Sequence, residues 1–295
     1  MNIEDEVESA DAHISYLAPG SFVNRRFVAP GREVNTGSYE THRVRIRDGR
    51  SIRDHFTLDT HGFVVTDHRS AVRDFTDTGQ IEAIYPAETA ELVRRLTGAD
   101  RVIVRGWMTR TSGDLEARQR QTVGYTHQGG VQPPAAEAHV DFTAETAERV
   151  ARATYESEFP GEAPFRRFIS SSLWRCYSEP PQDWPIAVCD ARSVGPDEGT
   201  PNALVVVDEI PDPETMLGPL PAGRPPMTAD VFRYNPAHRW WYFSAMHRDE
   251  ALLLKFYDSG KGIARRVPHT AFRDRSFPEA RVRESIEVRT LAYFL

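Results

Sequence analysis

The sequence predicts a mainly β fold with flanking helices, built as a sandwich or barrel of short strands. Three observations carry this expectation. From Arg166 onward, seven strand-like segments follow one another, divided by Pro, Gly, Asp and Asn turns. Helical periodicity is confined to two stretches ahead of Arg166, "YPAETAELVRRLTG" and "TAETAERVARATYESEF". Strands and helices do not alternate around a Gly-rich loop, which argues against a Rossmann or P-loop nucleotide site.

Taken in order, "GSFVNRRFVAPG" and "THRVRIRDGR" have the Gly-bounded alternation of edge hairpins, and "HGFVVTDH" reads as a strand. The first helix is expected to open near Pro86, with acids in its first turn, and to stop at Gly98. "DRVIVRGWMTR" follows as a short apolar strand. "GDLEARQRQTVGYTHQGGVQPPAAEA" is polar and punctuated by Gly-Gly and Pro-Pro, the composition of a mobile surface loop. After "HVDF", the second helix opens on a Thr-x-x-Glu or Thr-x-x-Thr capping pattern. The seven later segments are "FRRFISSSLWRCYS", "WPIAVCDARSV", "NALVVVDEI", "ADVFRYNP", "HRWWYFSAM", "EALLLKFYDS" and "RESIEVRTLAYFL". There is no internal repeat and no linker that splits the chain. Residues 1–295 therefore read as one domain, with 1–56 as an N-terminal extension.

Composition narrows the partners. A net charge of -7 argues against a general nucleic-acid surface, which needs a basic excess. Lysine occurs only at Lys255 and Lys261, so any anion-binding role falls to arginine. Two cysteines, Cys176 and Cys189, make neither a disulfide framework nor a four-thiolate zinc site, and read as free thiols of a reducing cytoplasm. The acidic start "MNIEDEVESADAH" lacks the basic end and apolar stretch of a signal peptide. No window approaches the roughly 18 apolar residues of a membrane span. A soluble, cytoplasmic protein with a small-molecule substrate is the expectation.

The spacing that points to chemistry is His139-Val140-Asp141. On an extended chain residues i and i+2 point the same way, so both side chains can face one cation. A histidine from a distant strand would complete a 2-His-1-carboxylate face with positions left open for cosubstrate and oxygen. Alone the pattern is weak. Ten histidines supply about one His-x-Asp by chance, and a second stands at His247-Arg248-Asp249. That second pair lies too close to His269 for barrel strands to intervene. His238, His247 and His269 are the candidate distal ligands, and His269 is followed by Arg283-Glu284-Ser285. On a strand, Arg283 and Ser285 share a face and can grip one end of a dicarboxylate, the planar fork of arginine making two parallel bonds. Arg281 and Arg289 fall on the same alternate face, and Arg289 is the serious rival. Glu287 on that face needs a partner if buried.

Four further residues keep two readings each. Arg175 either holds an acidic substrate or the cosubstrate, or packs structurally on Trp174. His238, Trp240 and Trp241 either line a substrate cavity or belong to the core.

The ordered set resembles the iron(II)/2-oxoglutarate-dependent oxygenases. More narrowly, "THGFVV", "HVDFT", "SLWRCYSEPPQDWPIAVCDARSV", "HRWWYFSAMHRDEALLLKFYDS", "VPHTAF" and "RESIEVRTLAYF" resemble the CmcJ-like family. That family includes the hydroxylase component of cephamycin 7α-methoxylation and the fungal AsaB-type hydroxylase/desaturases. The likeness runs from Thr57 to the C-terminus. It implies a double-stranded β-helix (jelly-roll) core and the cofactors Fe(II), 2-oxoglutarate and O2. The implied metal ligands are His139, Asp141 and His269; the implied cosubstrate contacts are Arg283 and Ser285, with Arg289 as the alternative. Arg175, Trp174, His238 and Trp240 are the candidate substrate contacts. The implied reaction is hydroxylation of an unactivated C–H bond in a small natural product, most specifically at the 7α position of a cephem. Desaturation and ring formation are the alternatives, and a methyltransferase is the implied partner. Two other classes stay open: a cupin-type metalloenzyme that needs no cosubstrate, and a non-catalytic jelly-roll binding module. A carboxylate grip at Arg283 and Ser285 is unnecessary in either.

Overall fold

The computed structural model describes residues 3–30, 32–113, 131–220 and 225–295. Four strands come first: β1 (Ser9–Leu17), β2 (Asn24–Ala29), β3 (Arg32–Asn35) and β4 (Tyr39–Asp48). Next are β5 (Phe63–Asp67), helix α1 (Thr78–Thr97) and β6 (Arg101–Thr111). The two-residue strands β7 (Val131–Gln132) and β8 (His139–Val140) precede helix α2 (Ala144–Glu158) and β9 (Arg167–Cys176). Then come β10 (Ile186–Cys189), β11 (Thr200–Val206), β12 (Met227–Val231) and β13 (Trp240–Tyr242). The chain closes with β14 (Glu250–Asp258), β15 (His269–Ala271) and β16 (Glu284–Phe294).

These strands form two sheets. One has ten strands in the order β1-β4-β13-β10-β15-β8-β12-β11-β2-β3; the other has six, in the order β5-β14-β9-β16-β6-β7. From β6 onward the chain crosses repeatedly between them. It places β6, β16, β9 and β14 side by side in one sheet and β8, β15, β10 and β13 side by side in the other. That crossing pattern is the jelly roll, and the fold is mainly β as expected.

Burial explains why some strands read as continuous apolar runs. Along β14, Leu252, Leu254 and Phe256 enter the core between the sheets, while Ala251 and Leu253 pack outward against Leu92 and Val93 of α1. All nine residues of the strand are buried in consequence. α2 covers a different patch, laying Ala147, Val150, Ala151 and Tyr155 on Phe168, Tyr257, Leu291 and Tyr293. Both helices have the ends their sequences encode. Asp77 caps α1 by accepting from the N–H groups of Gly79 and Gln80, and Gly98 ends it with φ 70°. Thr143 caps α2 by accepting from Thr146 N–H.

Several expectations need correction. α1 begins at Thr78 and carries Pro86 in its interior, because the extra turns bury Ile81 and Tyr85 and that packing outweighs the missing N–H. "GSFVNRRFVAPG" does lead into the β2–β3 hairpin. "THRVRIRDGR" instead lies in β4, antiparallel to β1 and parallel to β13. β1 carries a weak strand signal because its inward row begins with the small residues Ala10 and Ala12 before Ile14 and Tyr16. Most of the polar segment expected to be a mobile loop, 114–130, lies outside the described residues. Cys176 and Cys189 are both buried free thiols. Among the described residues no helix is long and apolar enough to cross a membrane.

The barrel also buries charge. Lys255 and Asp258 have wholly buried side chains 2.6 Å apart, and Arg167 reaches the same carboxylate at 2.7 Å. Asp258→Asn would leave the ammonium without its nearest counter-charge. Urea unfolding should show a loss of about 3–5 kcal/mol; an unchanged midpoint would mean that Asp59, 3.5 Å from Lys255, already suffices.

Candidate metal centre and cavity

His139 opens β8 and Asp141 follows its end, so both side chains leave one side of an extended run while Val140 turns into the core. β15 delivers the third member. His269 stands directly opposite His139 in the ladder, with ring centroids 4.4 Å apart. Their ligand atoms converge: His139 Nε2 and His269 Nε2 lie 3.4 and 3.6 Å from Asp141 Oδ1. Ligand bonds of roughly 2.1 Å at right angles would put donor atoms about 3 Å apart, so the three fit one face of a metal ion.

Backbone contacts fix which nitrogen faces inward. His139 Nδ1 meets the carbonyl of Glu137 at 2.8 Å, and His269 Nδ1 meets that of Val267 at 3.2 Å. A carbonyl only accepts, so each Nδ1 carries the proton and each Nε2 is left to ligate. Phe256 stacks on His269 with centroids 5.6 Å apart. Burial, reinforced by the neighbouring His139, pushes the His269 imidazole down to about 4, which keeps it neutral. His139 is shifted upward: burial opposes its charge, but the bond and charge of Asp141 prevail. Asp141 is held well below the usual carboxylate range. Burial works against that, and is outweighed by Arg289 together with the two histidines.

Arg289 comes from β16, in the facing sheet. Its Nε and a terminal nitrogen lie 2.8 and 2.7 Å from Asp141 Oδ2. The two carboxylate oxygens are thereby divided, Oδ1 toward the imidazoles and Oδ2 toward the guanidinium. Two residues back on the same inward row, Glu287 is gripped by Arg110 at 2.9 Å; burial would raise its pKa, and Arg110 keeps it lowered. The outward row of β16, with Ile286 and Val288, packs on Ile81 and Tyr85 of α1.

Farther along the inward row lie Ser285 and, just ahead of the strand, Arg283. Both are buried. Arg283 donates to the Trp184 carbonyl at 3.0 Å, and its guanidinium lies 5.8 Å from the Trp174 ring. Its Nε and the Ser285 hydroxyl are buried without partners. Burial pushes the Arg283 guanidinium down to about 10, with Arg110 acting in the same direction. A buried cation beside an orphaned hydroxyl is a fitting receptor for a carboxylate.

A cavity of about 370 Å³ opens on His139, Asp141 and Arg289, within the size range of small-molecule sites. Its walls are largely apolar, with Trp107 and Met108 from β6, Phe142, and Met227 and Val231 from β12. Glu137, Asn202, Arg26 and Arg105 add polar and charged groups to its walls. Neither Arg283 nor Ser285 reaches this cavity.

The structure does not bring the four candidate substrate contacts to the cavity either. Strand alternation turns Arg175 outward, away from the inward Trp174 and Cys176. It is buried beneath α1, bonded to Tyr85 Oη at 2.8 Å and to the His68 carbonyl and ring. Trp174 is core. His238 pairs with Glu198 at 2.7 Å, and Trp240 donates to Tyr16 Oη at 2.8 Å. Arg281 is exposed.

A second group with metal-ligand chemistry, Glu4, His55 and His61, lies apart from this centre. It is saturated by cations: Arg192 meets Glu4 at 2.5 Å and Arg239 at 3.5 Å. His61 Nδ1 accepts the Thr57 N–H, which leaves the proton on the nitrogen that would have to ligate.

The oxidoreductase/YMDC permease-like domain family matches residues 14–293. Hydroxylase/desaturase CTB9 of Cercospora beticola is 36% identical over 79% of this chain and 71% of its own length. Fe(II)/2-oxoglutarate-dependent dioxygenase nvfI of Aspergillus novofumigatus is 31% identical over 90% of this chain and 87% of its own. The solved structure of the iron and alpha-ketoglutarate-dependent endoperoxidase NvfI superimposes with a TM-score of 0.76 at 28% identity, covering 97% of this chain and 98% of that one. These likenesses displace the cosubstrate-independent and non-catalytic readings. The chain is an enzyme of this chemistry: it belongs to the iron(II)/2-oxoglutarate-dependent oxygenases, in the family that holds the AsaB-type hydroxylase/desaturases.

Proposed function

We propose that this oxygenase hydroxylates an unactivated C–H bond of a small natural product, and that His139, Asp141 and His269 hold its iron. The observation that carries the reading is three converging donor atoms, two of them on residues, His139 and Asp141, that line a largely apolar cavity. When bound, iron(II) and 2-oxoglutarate together supply the oxidant, oxygen being reduced as 2-oxoglutarate is decarboxylated to succinate.

The chain's own groups have separate tasks. The two histidines present Nε2 because their Nδ1 protons are committed to backbone carbonyls. Arg289 orients Asp141 by engaging the oxygen that does not face the imidazoles. Arg283 and Ser285 take the far carboxylate of 2-oxoglutarate, which satisfies both orphaned polar atoms. The Arg283 side chain reaches back toward Trp174, the register partner of Glu287. The apolar walls keep bulk water from the reacting carbon. Desaturation or ring closure would use the same site with the substrate hydrogen differently placed. A cephem remains the narrowest substrate expectation; its carboxylate would have to meet Arg105 at the rim.

Anaerobic addition of 2-oxoglutarate to the iron(II)-loaded protein should produce a weak visible charge-transfer band, and its absence would sink the reading. Arg289→Met should weaken iron binding about 10–100-fold, as loss of a group supporting a ligand does. Iron titrations without cosubstrate would measure it; unchanged affinity would remove Arg289 from the task of orienting Asp141.

A further inference from the structure

Glu137 is a polar group of the cavity that the proposed chemistry leaves unused. It precedes His139 by two residues, so Glu137, His139 and Asp141 leave one side of the extended run, and all three line the cavity. Two of them face the metal position, and the third faces the space a substrate would take. Among the described residues, no other residue's hydrogen bond or ion pair reaches the Glu137 carboxylate. Its own backbone N–H supports it, while His139, Arg26 and Arg110 act only through space.

A second acceptor stands alone in the same cavity. Asn202 on β11 is only 7% exposed and lines the wall with Leu204 and Val206, the next two residues on its side of the strand. Its Oδ1 is buried without a partner. The arginines of the cavity do not answer either acceptor. Arg26 is engaged by Glu33 at 2.7 Å, and Arg105 is exposed at the rim. Unanswered acceptors in an apolar chamber are costly until something donates to them.

We infer that the substrate is a largely apolar molecule that donates hydrogen bonds, through hydroxyl or amine groups, to Glu137 and Asn202. Glu137 thereby selects skeletons that place a donor beside it over those that place a carboxylate there. The inference rests on the oxygenase reading of this cavity, since it takes the space beside His139 and Asp141 as the substrate's. A carboxylate in that space would meet like charge at Glu137, while Arg26 and Arg289 on the same walls are already paired with Glu33 and Asp141.

Three probes sharing one compact hydrocarbon cage test this: 1-adamantanamine, 1-adamantanol and 1-adamantanecarboxylate. Each is titrated calorimetrically into protein loaded anaerobically with iron(II) and 2-oxoglutarate. The amine and the alcohol should bind at least about tenfold more tightly than the acid, the value of one charge-assisted hydrogen bond. Glu137→Gln, which keeps the side chain's size, should shrink the amine-over-acid preference by about tenfold or more, and Asn202→Leu should weaken the alcohol. Equal or tighter binding of the acid, an unchanged preference in Glu137→Gln, or no binding of amine and alcohol would overturn the inference. The charge-transfer band, recorded on the same samples, separates the two levels. A missing band in the native protein fails the oxygenase reading, whereas a normal band with a flat or reversed preference fails the substrate inference alone.

Discussion

His139→Ala and His269→Ala should each lower kcat/KM for 2-oxoglutarate turnover by well over a hundredfold and remove the charge-transfer band. Losing a group that merely supports a ligand costs 10–100-fold, and these substitutions delete the ligand itself. No rescue by rearrangement is expected. Each ring is pinned through Nδ1 to the carbonyl two residues earlier, and the two rings stand opposite one another in a ladder that neither can leave. The three donor atoms lie within 4.8 Å of one another, and among the described residues the other such group is the Glu4 cluster, already neutralised by arginines. Iron content and turnover measured on the same preparations provide the check. An alanine variant that kept both would show that the metal is held elsewhere.

Arg283→Met should separate binding from stability. Two charge-assisted bonds to a carboxylate are worth roughly 3 kcal/mol together, so 2-oxoglutarate affinity should fall about a hundredfold. The same change should leave unfolding stability unchanged or raise it by about 1–4 kcal/mol, because it replaces a buried guanidinium that holds no ion pair among the described residues with an apolar side chain of similar length. A structural arginine would behave in the opposite way. In the native protein, 2-oxoglutarate at a hundred times its Kd should add about 2.7 kcal/mol to stability, and the variant should lose most of that gain. Normal affinity in Arg283→Met together with lost affinity in Arg289→Met would move the carboxylate grip to Arg289.

How much of this was legible in the sequence depended on which interaction fixed each element. The long strands declared themselves because burial on one or both faces leaves a periodic apolar record, as in "EALLLKFYDS". β8 and β15 did not: with two and three residues they are too short to carry a period, yet they deliver both histidines. The metal triad was found through residue types and their order rather than through recognised strands. Parity along β16 correctly placed Ser285, Glu287 and Arg289 on one face. It could not tell which arginine would meet Asp141, since that depends on where the facing sheet crosses. The two readings of Arg175, pocket contact or structural packing, could not be separated along the sequence because its face is set by the covering helix α1, whose Tyr85 anchors it. Glu137 did leave a signal, the i−2 position of Glu-x-His-x-Asp, and it passed unused.

That run has a consequence for redesign. Glu137, His139 and Asp141 depend on one short stretch held by the backbone of Ala138, His139 and Val140 and by the bridge between Glu137 and Ser15. A slip of one residue would turn all three side chains to the opposite face at once. Point substitutions at 137 can therefore retune the cavity while the metal ligands stay in place. A single-residue insertion or deletion between 137 and 141 would erase ligation and substrate choice together, so this stretch tolerates substitution but not a change of length.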